Sequence, residues 1–421
     1  ADGDTLYVNS STHRVGVGTA SPGQDLDVVG SAIFSGSVGV GTTNPAYKLD
    51  VVGNINLTND VVMSGEVFVK AHDATKNYVA IGPSAGATTQ GSAAVAVGYE
   101  AGSNNQGSLA TALGSLAGSR NQGSLAIAVG RSAGNNSQGA HATAVGTSAG
   151  ETTQGSAAVA VGYLTGQYNQ GSGAVAVGRE AGSNNQGSAA VAVGYQAGSN
   201  NQGTYAVAVG NEAGLTSQGT YAVAMGRQAG QLSQGNLAIA LAHLAGRYNQ
   251  GNSAVAVGRA AGSNNQGANA VAVGYLAGET TQGSEAVAVG YTAGENNQGL
   301  EAVAVGQGAG SNNQGAYAIS IGGVAGRYNQ GNQAVAIGRD AGNTAQGAAA
   351  IAIGNRAGLS NQGGDAVAVG RLAGETNQHA NSIVLNASGA ALNTAQASSF
   401  YVAPVRGGNF AASALAYTSA G

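Results

Sequence analysis

Most of the chain repeats one short hydrophobic phrase. From Gly91 to Gln378, eighteen units of sixteen residues follow one another without insertion, most with Ala-Val-Ala-Val-Gly at positions 4 to 8. One unit reads Gly91-Ser-Ala-Ala-Val-Ala-Val-Gly98-Tyr-Glu-Ala-Gly102-Ser-Asn-Asn-Gln106. Four apolar residues closed by glycine predict a short strand with two apolar faces, and such a strand is covered on both. Glycines at positions 1, 8 and 12 predict corners where the chain turns sharply or admits another backbone. A strict period of this length is the signature of a solenoid. Stacked at about 4.8 Å per coil, eighteen coils would extend roughly 85–90 Å.

Sorting the residues by position refines the expectation. Positions 1, 4, 12 and 16 are Gly, Ala, Gly and Gln in every unit, and position 15 is Asn in twelve. Positions 5 and 7 are Val, Ile or Leu except at Thr111, Thr143 and Met225; position 6 is Ala except Ser320, and position 8 is Gly except Ala242. All charged residues of the array fall at positions 3, 9, 10, 13 or 14, and all its tyrosines at 3, 9 or 14. Those five positions are expected to face water and the others to be structural. The Gln column, Gln106, Gln122, Gln138, Gln154, Gln170 and onward, is expected to form an amide ladder that satisfies the corner backbone. An axial row of amides holding ions or water is the alternative.

Two valines and three alanines per coil bury too little apolar surface to offset the ordering of sixteen residues. The strand's second apolar face therefore calls for a cover, and the simplest is another copy of the chain around a closed axis. A homotrimer is expected, with a dimer left open by composition alone.

The ends read differently. Val15-Gly-Val-Gly-Thr19 through Leu26-Asp-Val-Val-Gly30 returns 23 residues later as Val38-Gly-Val-Gly-Thr42 through Leu49-Asp-Val-Val-Gly53. Strand-like runs broken by Ser21-Pro22 and Asn44-Pro45 predict small β modules. The expected organisation is N-terminal modules over 1–74 (related units at about 15–30 and 38–53), a solenoid shaft over 75–378, and a C-terminal capping β segment over 379–421.

Composition removes several function classes. The 421 residues include 73 Gly, no Cys, no Trp and only 8% charged side chains. That is far from the roughly 25% charge of an ordinary globular domain. No disulfide framework or thiol chemistry is available, and no apolar run is long enough for a membrane helix. The first residue is Ala1, which points to trimming or an upstream segment. The array holds ten Arg, no Lys and eleven acidic residues, which gives no basic track for nucleic acid. The five histidines are scattered without metal-ligand spacing. "VGVGT" lacks the third glycine and following helix of a nucleotide site. No catalytic residue, metal site or cofactor is expected, and the chain is read as non-enzymatic. The regular Thr row of an ice-binding solenoid is absent.

Two features point outward. Tyr168, Tyr248 and Tyr328 lie 80 residues apart, and Arg179, Arg259 and Arg339 follow each at one offset. These six are candidate contacts for a host cell-surface glycan; a plain record of duplication is the alternative. Asn9, Asn56, Asn135 and Asn386 begin N-x-S/T triplets.

The "VGVGT…P…LDVVG" phrase resembles segments of bacteriophage tail fibres and of surface fibres of large DNA viruses. The "AVAVGxxAGxxNQG" array is similar to the head repeats of trimeric autotransporter adhesins, and more closely to fibre repeats of large viruses. The run from Asn381 to Gly408 resembles the region that follows the shaft in such proteins. The resemblance implies an all-β, homotrimeric, left-handed parallel β-solenoid or β-roll of 16-residue coils with small β modules at both ends. It implies a structural fibre subunit at a virion surface or another extracellular place, a rigid spacer with a part in attachment. Its partners would be itself, a host glycan and further fibre subunits end to end, with no nucleic acid and no membrane insertion. The alternative is a cellular trimeric adhesin or extracellular filament subunit.

Overall fold

The computed structural model describes residues 6–29, 35–40, 46–51, 61–63, 66–69 and 77–405. The chain divides into two compact units, Ala1–Asn59 and Asp60–Gly421.

In the first unit, Leu6–Asn9 and Arg14–Val17 form an antiparallel hairpin, and Leu26–Val28 pairs with Arg14–Val17 in parallel. Val15, Gly16 and Val17 lie opposite Leu26, Asp27 and Val28. Val38–Val40 pairs with Leu49–Val51 in the same way, Val38, Gly39 and Val40 opposite Leu49, Asp50 and Val51. The 23-residue sequence repeat is thus also a repeat of strand pairing. Asn56 and residues 30–34, between the two copies, lie outside the described residues.

The second unit is an all-β parallel solenoid of about 20 coils with sixteen residues per turn and no helix among the described residues. Each coil carries two three-residue strands. In one coil these are Val95–Val97 (positions 5–7) and Asn104–Gln106 (positions 14–16). Within the repeat array each strand pairs in parallel with its counterpart sixteen residues away, so identical positions stack: Val95 on Thr111, Ala96 on Ala112, Gln106 on Gln122. Two parallel ladders result, joined by corners.

The corners are β-turns of one kind. Ala94 donates its N–H to the Gly91 carbonyl at 3.3 Å, and Ala101 to that of Gly98 at 3.2 Å. The third residue of each turn has a left-handed backbone, φ 55° at Ala93 and 52° at Glu100, which is the conformation a type II turn demands there. Neighbouring coils bond through the corners too: Gly107 donates to the Gln122 carbonyl at 2.8 Å and Gly114 to that of Val97 at 2.8 Å. Position 8 must be glycine because a Cβ on Gly98 would come within 2.7 Å of the Gly114 carbonyl in the next coil. Ala242, the exception, has a φ of 104°, lower than any glycine of that column.

The core is made of alanine. Positions 4, 6 and 11 (Ala94, Ala96 and Ala101, for example) are fully buried in coil after coil. Thr165 and Ser320 replace alanine in these columns and are also fully buried. Each finds a partner: the Thr165 hydroxyl donates to the Gly178 carbonyl, and that of Ser320 to Gln330 Oε1 at 2.7 Å.

Four expectations about burial need correction. Position 10, assigned to solvent, is exposed only at Arg356 and is buried at Ser132, Ser148, Ala260 and Leu372. Position 13, assigned to solvent, is buried where it is serine, as at Ser103, Ser119 and Ser311. Position 15, assigned to the structural set, is exposed at almost every coil, and position 2 is largely exposed as well. The left-handed φ of Asn105 and its equivalents explains the exposure of position 15, because it swings the asparagine out of the coil.

At the C-terminal side, Ile383–Asn386 and Phe400–Ala403 continue the first ladder. Val384 replaces the core alanine and is fully buried, with Leu392 and Tyr401 packed against the last alanines. Larger side chains at the final coils are what an end that must cover its own core requires. At the other side, Glu66–Val69 pairs antiparallel with Val79–Ile81, the first coil's strand.

Candidate interaction face

Inside the coil, position 16 does the polar work. Gln106 Nε2 donates to the Val95 carbonyl at 2.8 Å and to that of Ala110 at 3.3 Å. Gln122, Gln138, Gln154 and Gln170 repeat these bonds. Further bonds join amide to amide: Gln138 donates to Gln154, and Gln154 to Gln170, each at 3.1 Å. Gln106 and Gln122 lack such a link, and their Oε1 atoms, like that of Gln138, accept nothing. The amide row thus runs in segments, each ladder fastening strand to strand across a core too thin for large side chains.

Outside, the two ladders differ. The strand at positions 14–16 shows water a polar surface, with Asn105 Nδ2 donating to Asn121 Oδ1 at 3.0 Å and Asn169 passing the same bond to Asn185. The strand at positions 5–7 shows Val, Ile and Leu. Its alanine points inward, so the larger apolar residues on either side point away from the core. Leu113 and Met225 are each 45% exposed, and Ile127 41%. Only Thr111 and Thr143 interrupt two apolar columns that run through all eighteen units. A continuous apolar sheet face of this extent is uncommon on a lone soluble chain.

The glycan candidates fall on separate columns. Tyr168, Tyr248 and Tyr328 sit at position 14, on the polar strand; Arg179, Arg259 and Arg339 sit at position 9, at a turn tip. The structure shows no contact between the two sets. Arg179 lies over Tyr163 and Tyr195, 5.9 and 5.5 Å from the ring centroids, and Arg259 over Tyr275 at 5.3 Å. Arg339 pairs with Asp340 at 3.3 Å. Arg247 and Arg327 cover one face of Tyr248 and Tyr328, at 4.4 and 4.9 Å. Tyrosines also stack within a column: Tyr205 on Tyr221 at 5.0 Å and Tyr275 on Tyr291 at 5.1 Å.

Few groups titrate unusually. Burial, then the Glu295 charge one coil along, pushes the Glu279 carboxyl up from its ordinary value. A bond from the Gln196 amide holds the Glu180 carboxyl below its ordinary value, with burial opposing it and Arg179 assisting. Among the described residues no three His, Cys, Asp or Glu side chains converge as metal ligands, and no helix is long and apolar enough to cross a membrane. Asn386 is buried, its Nδ2 donating to the Arg371 and Ala390 carbonyls, so this triplet serves the fold.

No protein-family model matches the chain, and a search of curated proteins finds no significant relative.

Proposed function

We propose that the chain is a structural fibre subunit, non-enzymatic, that closes into a homotrimer with its valine-rich strand faces turned toward a shared axis. One observation carries this reading. Each coil lines its interior with alanine and directs its larger apolar side chains outward along a face that only Thr111 and Thr143 interrupt. Apolar surface of that extent gains about 25 cal/mol for every Å² withdrawn from water, and only a partner can withdraw it. A copy of the same chain offers a face of equal length and equal coil spacing, and a closed ring of copies leaves no such face uncovered. The left-handed winding implied by the resemblance belongs to the same proposal, as does an extracellular or virion-surface location. The parallel stack would serve as a stiff spacer, its side-chain variation confined to exposed turns and columns.

The first test is the mass in solution by light scattering. Three times the 40.4 kDa of one chain is the expected result. A folded particle of 40.4 kDa would overturn the proposal, because the apolar face would then be stable against water.

A further inference from the structure

Two pairs of tyrosines lie face to face on the turns. Tyr205 and Tyr221 occupy position 3 of successive coils, with ring centroids 5.0 Å apart and an interplanar angle of 8°. Tyr275 and Tyr291 repeat the arrangement at position 9, at 5.1 Å and 10°. The backbone holds both stacks in place. Tyr221 donates its N–H to the Thr204 carbonyl of the preceding coil at 3.0 Å, and Thr292 donates to that of Tyr275 at 2.8 Å. Each pair thus leaves equivalent sites on two bonded turns and projects the same way, phenol beside phenol. Tyr205, Tyr221 and Tyr291 are open to solvent, at 52%, 54% and 55% exposure.

We infer that these two pairs are sites of oxidative coupling, at which a peroxide-driven one-electron oxidant joins neighbouring coils through a tyrosine–tyrosine carbon–carbon bond. The chain has no Cys and no Trp, so tyrosine is the side chain that yields single electrons most readily. Each phenol of a pair loses one electron to the oxidant and its hydroxyl proton to water. The radical that results is shared by the ring carbons flanking the oxygen. The two rings tilt from face to face toward edge to edge, and one flanking carbon of each joins the other. Each joined carbon then passes its hydrogen, as a proton, back to its own oxygen, which restores the phenol. Two electrons and two protons leave per link, and one hydrogen peroxide takes them up as two waters. The bond closes a loop of one coil, and a cross-link of that span acts mainly by restricting the unfolded chain. In a chain without disulfides, one link would fasten turns that precede the apolar strand and the other turns that follow it.

Tyr163 and Tyr195 supply the contrast. They share the position-9 column but stand two coils, about 9.6 Å, apart. The Arg179 guanidinium lies between them, 5.9 and 5.5 Å from the ring centroids. These rings meet the same oxidant without a second phenol beside them. The inference needs no partner chain, because each stacked pair belongs to a single copy.

A haem peroxidase with hydrogen peroxide supplies the oxidant for the test. Cleavage after glutamate separates the members of each pair, at Glu212 in one and at Glu279 and Glu285 in the other. The treated protein should run as a single chain under denaturing conditions. It should yield peptides joined through Tyr205 and Tyr221, and through Tyr275 and Tyr291, each lighter by two hydrogens than the sum of its parts. No peptide should join Tyr163 to Tyr195, although Glu180 would separate those as well. Tyr221→Phe and Tyr291→Phe keep a ring in the stack and remove the phenol, so each should abolish its own link and leave the other. Circular dichroism matching the parent establishes that each variant is folded. Links formed without regard to the stacks, links found only between chains, or no link under conditions that couple free tyrosine would each overturn the inference. None of these results touches the fibre reading, which is decided by mass in solution.

Discussion

Left-handed residues are the recurring cost of this coil. Positions 3, 10 and 15 adopt φ near 55° in nearly every unit, and each non-glycine residue there gives up about 1–2 kcal/mol. Asparagine bears that conformation best, which accounts for its frequency at position 15. Val324 bears it worst, because a β-branched side chain at φ 54° crowds its own carbonyl. Val324→Gly should therefore raise stability by about 1 kcal/mol after allowing for glycine's extra freedom when unfolded, read as a higher urea midpoint. A lower midpoint would mean that the valine's contacts matter more than its backbone. Glu279 is a second stressed residue. Burial and Glu295 raise its pKa above the unfolded value, so the folded chain holds this proton more tightly. The charged form then opposes folding at neutral pH, and the opposition fades as pH falls through the raised value. Glu279→Gln should raise the melting temperature at pH 7 and lose that advantage in acid. An equal gain at every pH would point to a cause other than ionisation.

At the scale of the strand and its ladder, a buried glutamine recurs once in every coil. Gln154 donates to two carbonyls and to Gln170, and accepts from Gln138. Gln106 makes the two carbonyl bonds alone. Gln154→Leu should thus cost about 1–2 kcal/mol more than Gln106→Leu, since only the former strands neighbouring amides. Equal losses in denaturant titrations would show that the backbone bonds carry the ladder. This ladder was legible in the sequence because an invariant polar residue beside invariant glycines has few other uses. The period and the first strand were equally plain, whereas positions 14–16, read as a corner, form the second strand. What could not be read was which side of Ala-Val-Ala-Val faces inward. Both alternate positions are apolar, so the period-2 rule that orients a half-buried strand carries no information here. Position 13 was misjudged because it admits charge in some coils, as at Glu151 and Arg247, while its serines turn in to bond one another, Ser103 with Ser119 at 3.2 Å. The separate placement of Tyr168 and Arg179 was equally hidden, because a constant offset in sequence does not reveal which corner each residue occupies.

For the molecule as a whole, adjacent residues of one strand are predicted to answer to different partners. Ala272 is fully buried within its coil, whereas Val271 points outward and is half-buried. Lysine at position 272 would place a charge in a core that has no space for it, and the coil should not fold. Lysine at position 271 should leave the coil intact, because its long side chain can reach water from the surface of a lone chain. It would nonetheless set a ring of like charges around any shared axis. Val271→Lys is therefore expected to keep the parent's β-type circular dichroism while its mass falls toward that of one chain. The melting temperature supplies an independent reading, because association that favours the folded state makes it rise with concentration. The parent should show that rise and Val271→Lys should not. Should Val271→Lys instead keep the parent's mass and concentration dependence, the valine face would be open to water in the assembled protein, and the polar ladder of positions 14–16 would be the side on which copies meet.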